Sequence, residues 1–229
     1  MIQMKIKICG LTREEDVVLA DSLGADLLGF IHARRSPRHL ELGDVAELSS
    51  LIPDEKAVLV TETSETSRIM EAIDKTGIER IQLHSVSPET AGKIHESLHA
   101  EGYSLELTLA VPPLSSHICG HEFQGISGLI LDSASGGRTG GTGKIIPPSD
   151  ALELLALIRG MDPSLRVTLA GGLTLEFVRK NREYVSKFDC LDFNSGIETG
   201  PGVKDHEMMA ELMNYIEGLP TRKGAIEEI

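Results

Sequence analysis

Eight short apolar runs recur along the chain roughly every 25 residues, with helix-forming stretches between them. This alternation limits the fold more than any other feature. The runs are residues 5–9 "KIKIC", 26–31 "DLLGFI", 56–60 "KAVLV", 80–84 "RIQLH", 105–111 "LELTLAV", 128–132 "GLILD", 167–170 "VTLA" and 190–194 "CLDFN". The intervening stretches carry helix start and stop signals. Thr12 precedes "REEDVVLADSLG", with Glu15 at a capping-box position and Gly24 as a stop. "SETSRIMEAIDKTG" and "SPETAGKIHESLHAEG" open on Ser and close on Gly, and "PSDALELLALIRG" and "DHEMMAELMNYIEG" repeat the theme. A fifth helix within residues 113–124 is poorly marked. Strands alternating with helices imply parallel pairing, and eight such units in 229 residues fit a single-domain (β/α)₈ TIM barrel. An open doubly wound sheet is the alternative. The barrel is expected to occupy residues 1–218, with 219–229 "LPTRKGAIEEI" as an appended tail.

Charge and composition narrow the function. A net charge of -13 repels phosphates, so nucleic acid is not the expected partner, and any anionic ligand needs a local cluster of donors. Aromatic residues are 3% of the chain and Trp is absent, which removes base stacking as a binding mode. The three cysteines, Cys9, Cys119 and Cys190, are sparse and form no C-x-x-C, so a reducing cytoplasmic setting is expected. "MIQMKIKICG" has no signal-peptide shape, and no apolar run approaches the ~18–20 residues of a membrane span.

In a TIM barrel the active site lies at the C-terminal ends of the strands. Strand alternation puts Lys5, Lys7 and Cys9 on one face and Ile6 and Ile8 on the other. The Ile face suits the helix layer, so Cys9 is expected to point inward with Lys7 one step below it. A neighbouring ammonium lowers a thiol's pKa, so thiolate formation at Cys9 is expected to be helped. Asp132 closes its apolar strand facing inward. Barrel closure sets the last strand beside the first, so Asp192 is placed to pair with a buried Lys7. Asn194 shares the face of Asp192, and Gln82 and His84 share one at the fourth strand. A thiol and a carboxylate facing each other across a barrel mouth suggest acid–base chemistry.

Three glycine-rich segments follow strands six to eight: "GGRTGGTGK" (residues 136–144), "LAGGLT" (169–174) and "FNSGIE" (193–198). The first fails the P-loop pattern, because Arg138 and Ile145 stand where Gly and Ser or Thr are required. Loops after strands seven and eight are a usual phosphate site in barrels, and glycine lets backbone N–H groups approach an anion. "ARRSPRH" (33–39) is the one dense basic cluster, and an Arg there can grip a carboxylate. His117 with His121, and His95 with His99, have metal-like spacing but no supporting carboxylate cluster, and no metal is expected.

"KICGLT", "SPR", "QLH", "LD…GGTG", "LAGGL" and "SGIETGPGVKD" occur in this order from Lys7 to Asp205. Together they resemble the phosphoribosylanthranilate isomerase family of tryptophan biosynthesis. The resemblance implies a single-domain barrel with no cofactor or metal, acting on a small phosphorylated substrate; the sequence leaves monomer and homodimer open. The implied reaction is the Amadori rearrangement of N-(5'-phosphoribosyl)anthranilate. Cys9 matches the general base, Asp132 the general acid, and Arg38 the residue that grips the anthranilate carboxylate. Gly141, Thr142, Gly143, Gly171, Gly172, Ser195 and Gly196 match the phosphate loops. Lys7, Gln82, His84 and Asn194 complete the expected substrate-binding set. The chain departs from the family pattern at His39, usually an aromatic, and at Ser85, usually Gly. It also departs at residues 61–63 and after "GGTG", at residues 144–150. A divergent isomerase of another aminosugar phosphate and a catalytically silent phosphate-binding barrel are the alternatives.

Overall fold

The computed structural model describes residues 4–112, 123–132, 134–135, 138–139 and 146–217. Eight parallel strands close into a barrel. They are β1 Lys5–Cys9, β2 Leu27–His32, β3 Ala57–Thr61, β4 Arg80–Leu83, β5 Glu106–Val111, β6 Gly128–Leu131, β7 Arg166–Leu169 and β8 Cys190–Phe193. Each pairs with its neighbours in chain order, and β1 closes on β8 with Lys7 opposite Asp192. Every expected strand is present to within a residue or two at either end. The helices are α1 Glu14–Ser22, α2 Leu42–Ser49, α3 Thr66–Thr76, α4 Pro88–Ala100, α5 Pro148–Met161, α6 Leu175–Lys180, α7 Arg182–Val185 and α8 His206–Glu217. The poorly marked helix at 113–124 lies almost wholly outside the described residues, as do His117, Cys119, His121 and the tail at 219–229. No helix among the described residues is long and apolar enough to cross a membrane.

Period-two alternation sorts the strand residues into two environments. Ile6, Ile8, Leu28, Leu59, Leu129 and Leu131 join the large core shared with the helices. Cys9 instead packs with Ile31, Ala33, Val58 and Val60, while Ala110, Ile130 and Ala170 form a second small cluster. These two clusters lie on the other face of the strands, toward the barrel interior. Cys9 therefore faces inward, as alternation requires.

Helix termini follow local chemistry in part. Ser87 caps α4 by accepting from the Thr90 N–H, and Gly77 ends α3 in the left-handed conformation at φ 69°. Thr12 does not cap α1: the N-cap is Arg13, without a side-chain cap, because the Thr12 hydroxyl donates to the Gly202 carbonyl at 2.6 Å. A tertiary bond to the loop after β8 replaces the local one.

The same loop is tied to α1 by Asp16, which is fully buried. Its carboxylate accepts from Arg13 Nε at 2.9 Å, Arg13 Nη2 at 2.6 Å and the Lys204 backbone N–H at 3.1 Å, and pairs with His206 Nε2 at 2.8 Å. Burial alone would raise its pKa, but the bonds from Arg13, Lys204 and His206 prevail and hold it below the ordinary range. A depressed folded-state pKa stabilises the fold above the unfolded carboxylate value and loses that contribution as pH falls through the folded one. Asp16→Asn is expected to cost about 1–3 kcal/mol at neutral pH. Chemical denaturation at stepped pH should show the gap to wild type closing below pH ~4.

Candidate active site

The first question at the mouth of the barrel is how a lysine survives inside it. Lys7 Nζ donates to Asp192 Oδ2 at 2.8 Å, and both side chains are buried. The pairing expected from barrel closure is present. Burial pulls the ammonium's pKa down, but the Asp192 carboxylate and then Cys9 outweigh it, so the pKa is raised and Lys7 is a fixed cation. Asp192 Oδ1 is buried and makes no hydrogen bond.

Cys9, one alternation above Lys7, is 4% exposed. Its pKa is raised: burial is the largest effect, Lys7 opposes it, Asp192 reinforces it, and Lys204 opposes it again. The expected help from Lys7 is present but does not prevail. The ammonium acts in the expected direction, but Asp192 offsets part of its field and desolvation of the sulfur outweighs the rest. The net shift favours the thiol form.

A second, largely buried network lies near Cys9, and sequence reasoning missed two of its members. The loop after β2 folds back on its own strand, with the Leu40 N–H donating to the Ile31 carbonyl and His39 bridging Ile31. Arg34 and Arg35 stay exposed, whereas the Arg38 side chain turns in and is 11% exposed. Arg38 Nε donates to Glu198 Oε1 at 2.8 Å and Nη2 to Oε2 at 2.5 Å. Glu198 also receives Lys204 Nζ at 2.8 Å, and that ammonium donates to Asn194 Oδ1 at 3.1 Å. Burial lowers the Lys204 pKa despite Glu198. For Glu198, burial pushes upward, but Arg38 and Lys204 prevail and lower it.

Glu198 and Lys204 meet because Glu198–Gly200 and Val203–Lys204 form an antiparallel hairpin that sets these two residues opposite each other. Gly202, at φ 82°, follows Pro201, the Pro-Gly signature of a tight turn. That dipeptide was the readable signal. Gly10 leaves room for the network: at φ 71°, a Cβ there would sit 2.5 Å from both Arg38 Cδ and Asn194 Oδ1.

Asp132 directly follows β6, beyond inward-packed Ile130, and is 8% exposed. Its backbone N–H donates to the Val111 carbonyl. At β4, Gln82 Nε2 and His84 Nε2 are hydrogen-bonded at 2.6 Å, and Gln82 is buried. Ser85 follows at φ 57°, a left-handed backbone that glycine adopts without strain. The loops after β7 and β8 touch: a Cβ on Gly196 would collide with the Leu173 carbonyl oxygen, so this glycine is required for packing. Gly171 and Gly172 precede that contact, and Ser195 opens a short 3₁₀ turn, Ser195–Ile197. Gly141, Thr142 and Gly143 lie outside the described residues. The strand ends thus gather Cys9, Lys7, Asp192, Arg38, Asn194, Asp132, Gln82 and His84 on one end of the barrel.

Comparison with known proteins identifies the family. The profile of the family described as "N-(5'phosphoribosyl)anthranilate (PRA) isomerase" matches residues 6–215. The N-(5'-phosphoribosyl)anthranilate isomerase of Methanothermobacter thermautotrophicus is 53% identical over 211 residues, covering 92% of this chain and 88% of the relative. The crystal structure of the phosphoribosyl anthranilate isomerase from Thermus thermophilus superposes with a TM-score of 0.76 at 28% identity, covering 95% of this chain and all of that one. A phosphoribosyl anthranilate isomerase solved in complex with reduced 1-(o-carboxyphenylamino)-1-deoxyribulose 5-phosphate shares the fold, with a TM-score of 0.71 at 24% identity and coverage of 94% and 100%. With most of its length matched by the family profile and by a relative more than half identical, the chain belongs to the N-(5'-phosphoribosyl)anthranilate isomerase family.

Proposed function

We propose that this protein catalyses the Amadori rearrangement of N-(5'-phosphoribosyl)anthranilate to 1-(2-carboxyphenylamino)-1-deoxyribulose 5-phosphate, in the cytoplasm, with Cys9 as general base and Asp132 as general acid. The observation that carries the residue assignment is that both residues stand at the C-terminal end of one barrel, Cys9 packed with Ile31, Val58 and Val60 and Asp132 buried directly after β6. Asp132 protonates the furanose ring oxygen, the C1–O bond breaks, and the nitrogen lone pair forms the iminium of the opened sugar. Cys9, as thiolate, takes the C2 proton, and the C2–H electrons flow into the iminium to give an enolamine. Tautomerisation of that enolamine yields the ketone.

Arg38 is the proposed grip on the anthranilate carboxylate. Glu198 takes the Nε–Nη2 edge of its guanidinium and fixes its plane, so Nη1 remains to meet the substrate. Lys204 neutralises Glu198, so the substrate carboxylate meets a net positive group. The loops carrying Gly141–Gly143, Gly171, Gly172, Ser195 and Gly196 are proposed to hold the phosphate through backbone N–H groups. With its phosphate and carboxylate ends both held, the opened sugar keeps C2 between base and acid.

Steady-state assay with N-(5'-phosphoribosyl)anthranilate tests the reading. Wild type turns it over, and Asp132→Asn loses about 10²–10⁴ in kcat with an unchanged circular dichroism spectrum. Retained turnover removes Asp132 as the acid, and absent wild-type turnover removes the reaction. In the same assay Glu198→Gln should raise KM about ten-fold or more with a smaller change in kcat, because it loosens a grip used in both ground and transition states.

A further inference from the structure

The loop that presents Arg38 carries a cluster which the reaction does not use. His32 ends β2, and His39 and Glu41 lie on the return segment. One ligand atom from each of the three lies within 4.8 Å of the others. Folding brings them together: the Ile31–His39 bridge doubles the loop back on its strand, so residues seven apart stand side by side, with ring centroids 5.3 Å apart.

The hydrogen bonding sets the donor atoms. His32 Nδ1 lies 2.9 Å from the Leu40 carbonyl, an acceptor only, so Nδ1 carries the proton and Nε2 holds a lone pair. A histidine whose other nitrogen donates to a backbone carbonyl is the usual form of a metal-bound imidazole. His39 Nε2 is 3.2 Å from Glu41 Oε1. Two ligands each ~2.0–2.1 Å from a tetrahedral ion stand roughly 3.3 Å apart, so this pair already has ligand spacing. The other nitrogen of His39, Nδ1, is buried and makes no hydrogen bond among the described residues. The Glu41 side chain is 70% exposed, so it can swing the remaining distance.

We infer that His32, His39 and Glu41 form a binding site for a divalent transition-metal ion of the zinc class. Two borderline imidazoles beside one carboxylate suit zinc, cobalt, nickel or copper rather than magnesium or calcium, which take oxygen donors throughout. A fourth position is left to water. The ion ties the end of β2 to its return segment, with Arg38 held between two ligands. This site rests on the fold alone and stands whether or not the proposed reaction is correct.

The test uses the full chain in metal-free buffer, titrated with Zn²⁺ by calorimetry and with Co²⁺ by visible absorption. The expected result is saturable one-to-one binding, four-coordinate cobalt bands without a thiolate charge-transfer band, and a Zn²⁺-dependent rise in melting temperature. His39→Ala and Glu41→Gln should each weaken Zn²⁺ by about ten-fold or more. Glu41→Gln is a surface change, so its loss of binding does not report misfolding. His95→Ala/His99→Ala removes a second close histidine pair, whose ring centroids are 6.1 Å apart on α4, and should leave the affinity unchanged. Equal affinity in the His39 and Glu41 variants, loss in the α4 double variant, a thiolate charge-transfer band, or no saturable binding each overturns the assignment.

Discussion

Cys9→Ser is expected to lower kcat by about 10²–10⁴-fold while the melting temperature stays within a few degrees of wild type. Serine fits the small inner cluster around Ile31, Val58 and Val60 with little change in volume. What it cannot supply is a conjugate base near neutral pH. The wild-type pH profile sharpens the expectation. Burial, before any other effect, raises the thiol above its ordinary range, and Lys7 and Lys204 recover only part of that shift. The competent form is the thiolate, so kcat/KM of wild type should climb with pH until an alkaline limb set by Cys9 is passed. In Cys9→Ser that limb should vanish. A serine variant with near-normal rates, or an unchanged limb in it, removes Cys9 as the base.

The raised thiol also shows where sequence reading stops. Strand alternation put Lys7 and Cys9 on one face, and the barrel confirms it. Yet a list of neighbours contains the ammonium and omits desolvation, which needs the packed interior. The eight strands were legible because each is a short apolar run between helix signals, and the Lys7–Asp192 pairing was legible because barrel closure sets the last strand beside the first and a buried ammonium needs a carboxylate. Glu198 and Lys204 were overlooked because "SGIETGPGVKD" reads first as a glycine-rich loop, although Pro201-Gly202 marks a hairpin that sets the two residues opposite each other. Thr12 misled in the opposite sense. Its local cap signal is sound, but its hydroxyl is taken by Gly202, a partner 190 positions away. The grouping of His32 with His39 and Glu41 depends on a bridge inside one loop, which no periodicity encodes.

Asp192→Ala should destabilise the barrel by about 3–5 kcal/mol, because it strands the Lys7 ammonium in the interior. For a chain of this size, roughly 2–4 °C are lost per kcal/mol, so the melting temperature should fall by about 6–20 °C. The stranded charge is the cause, and a double variant isolates it. Lys7→Met/Asp192→Leu removes both charges and fills their space, so most of the lost stability should return. Working pH does not confuse the comparison. The folded pKa of Lys7 is raised, so its contribution is fully present below the unfolded lysine value of ~10.4 and is lost only as pH rises beyond it. A cycle measured at pH ~7 therefore reads the pair itself. Activity should not recover with stability, because the double variant also withdraws the cation that most favours the Cys9 thiolate. If the double variant is as unstable as Asp192→Ala, the cost lies in packing and the stranded charge is not its source. If it regains full turnover, the Lys7 field has no part in the chemistry.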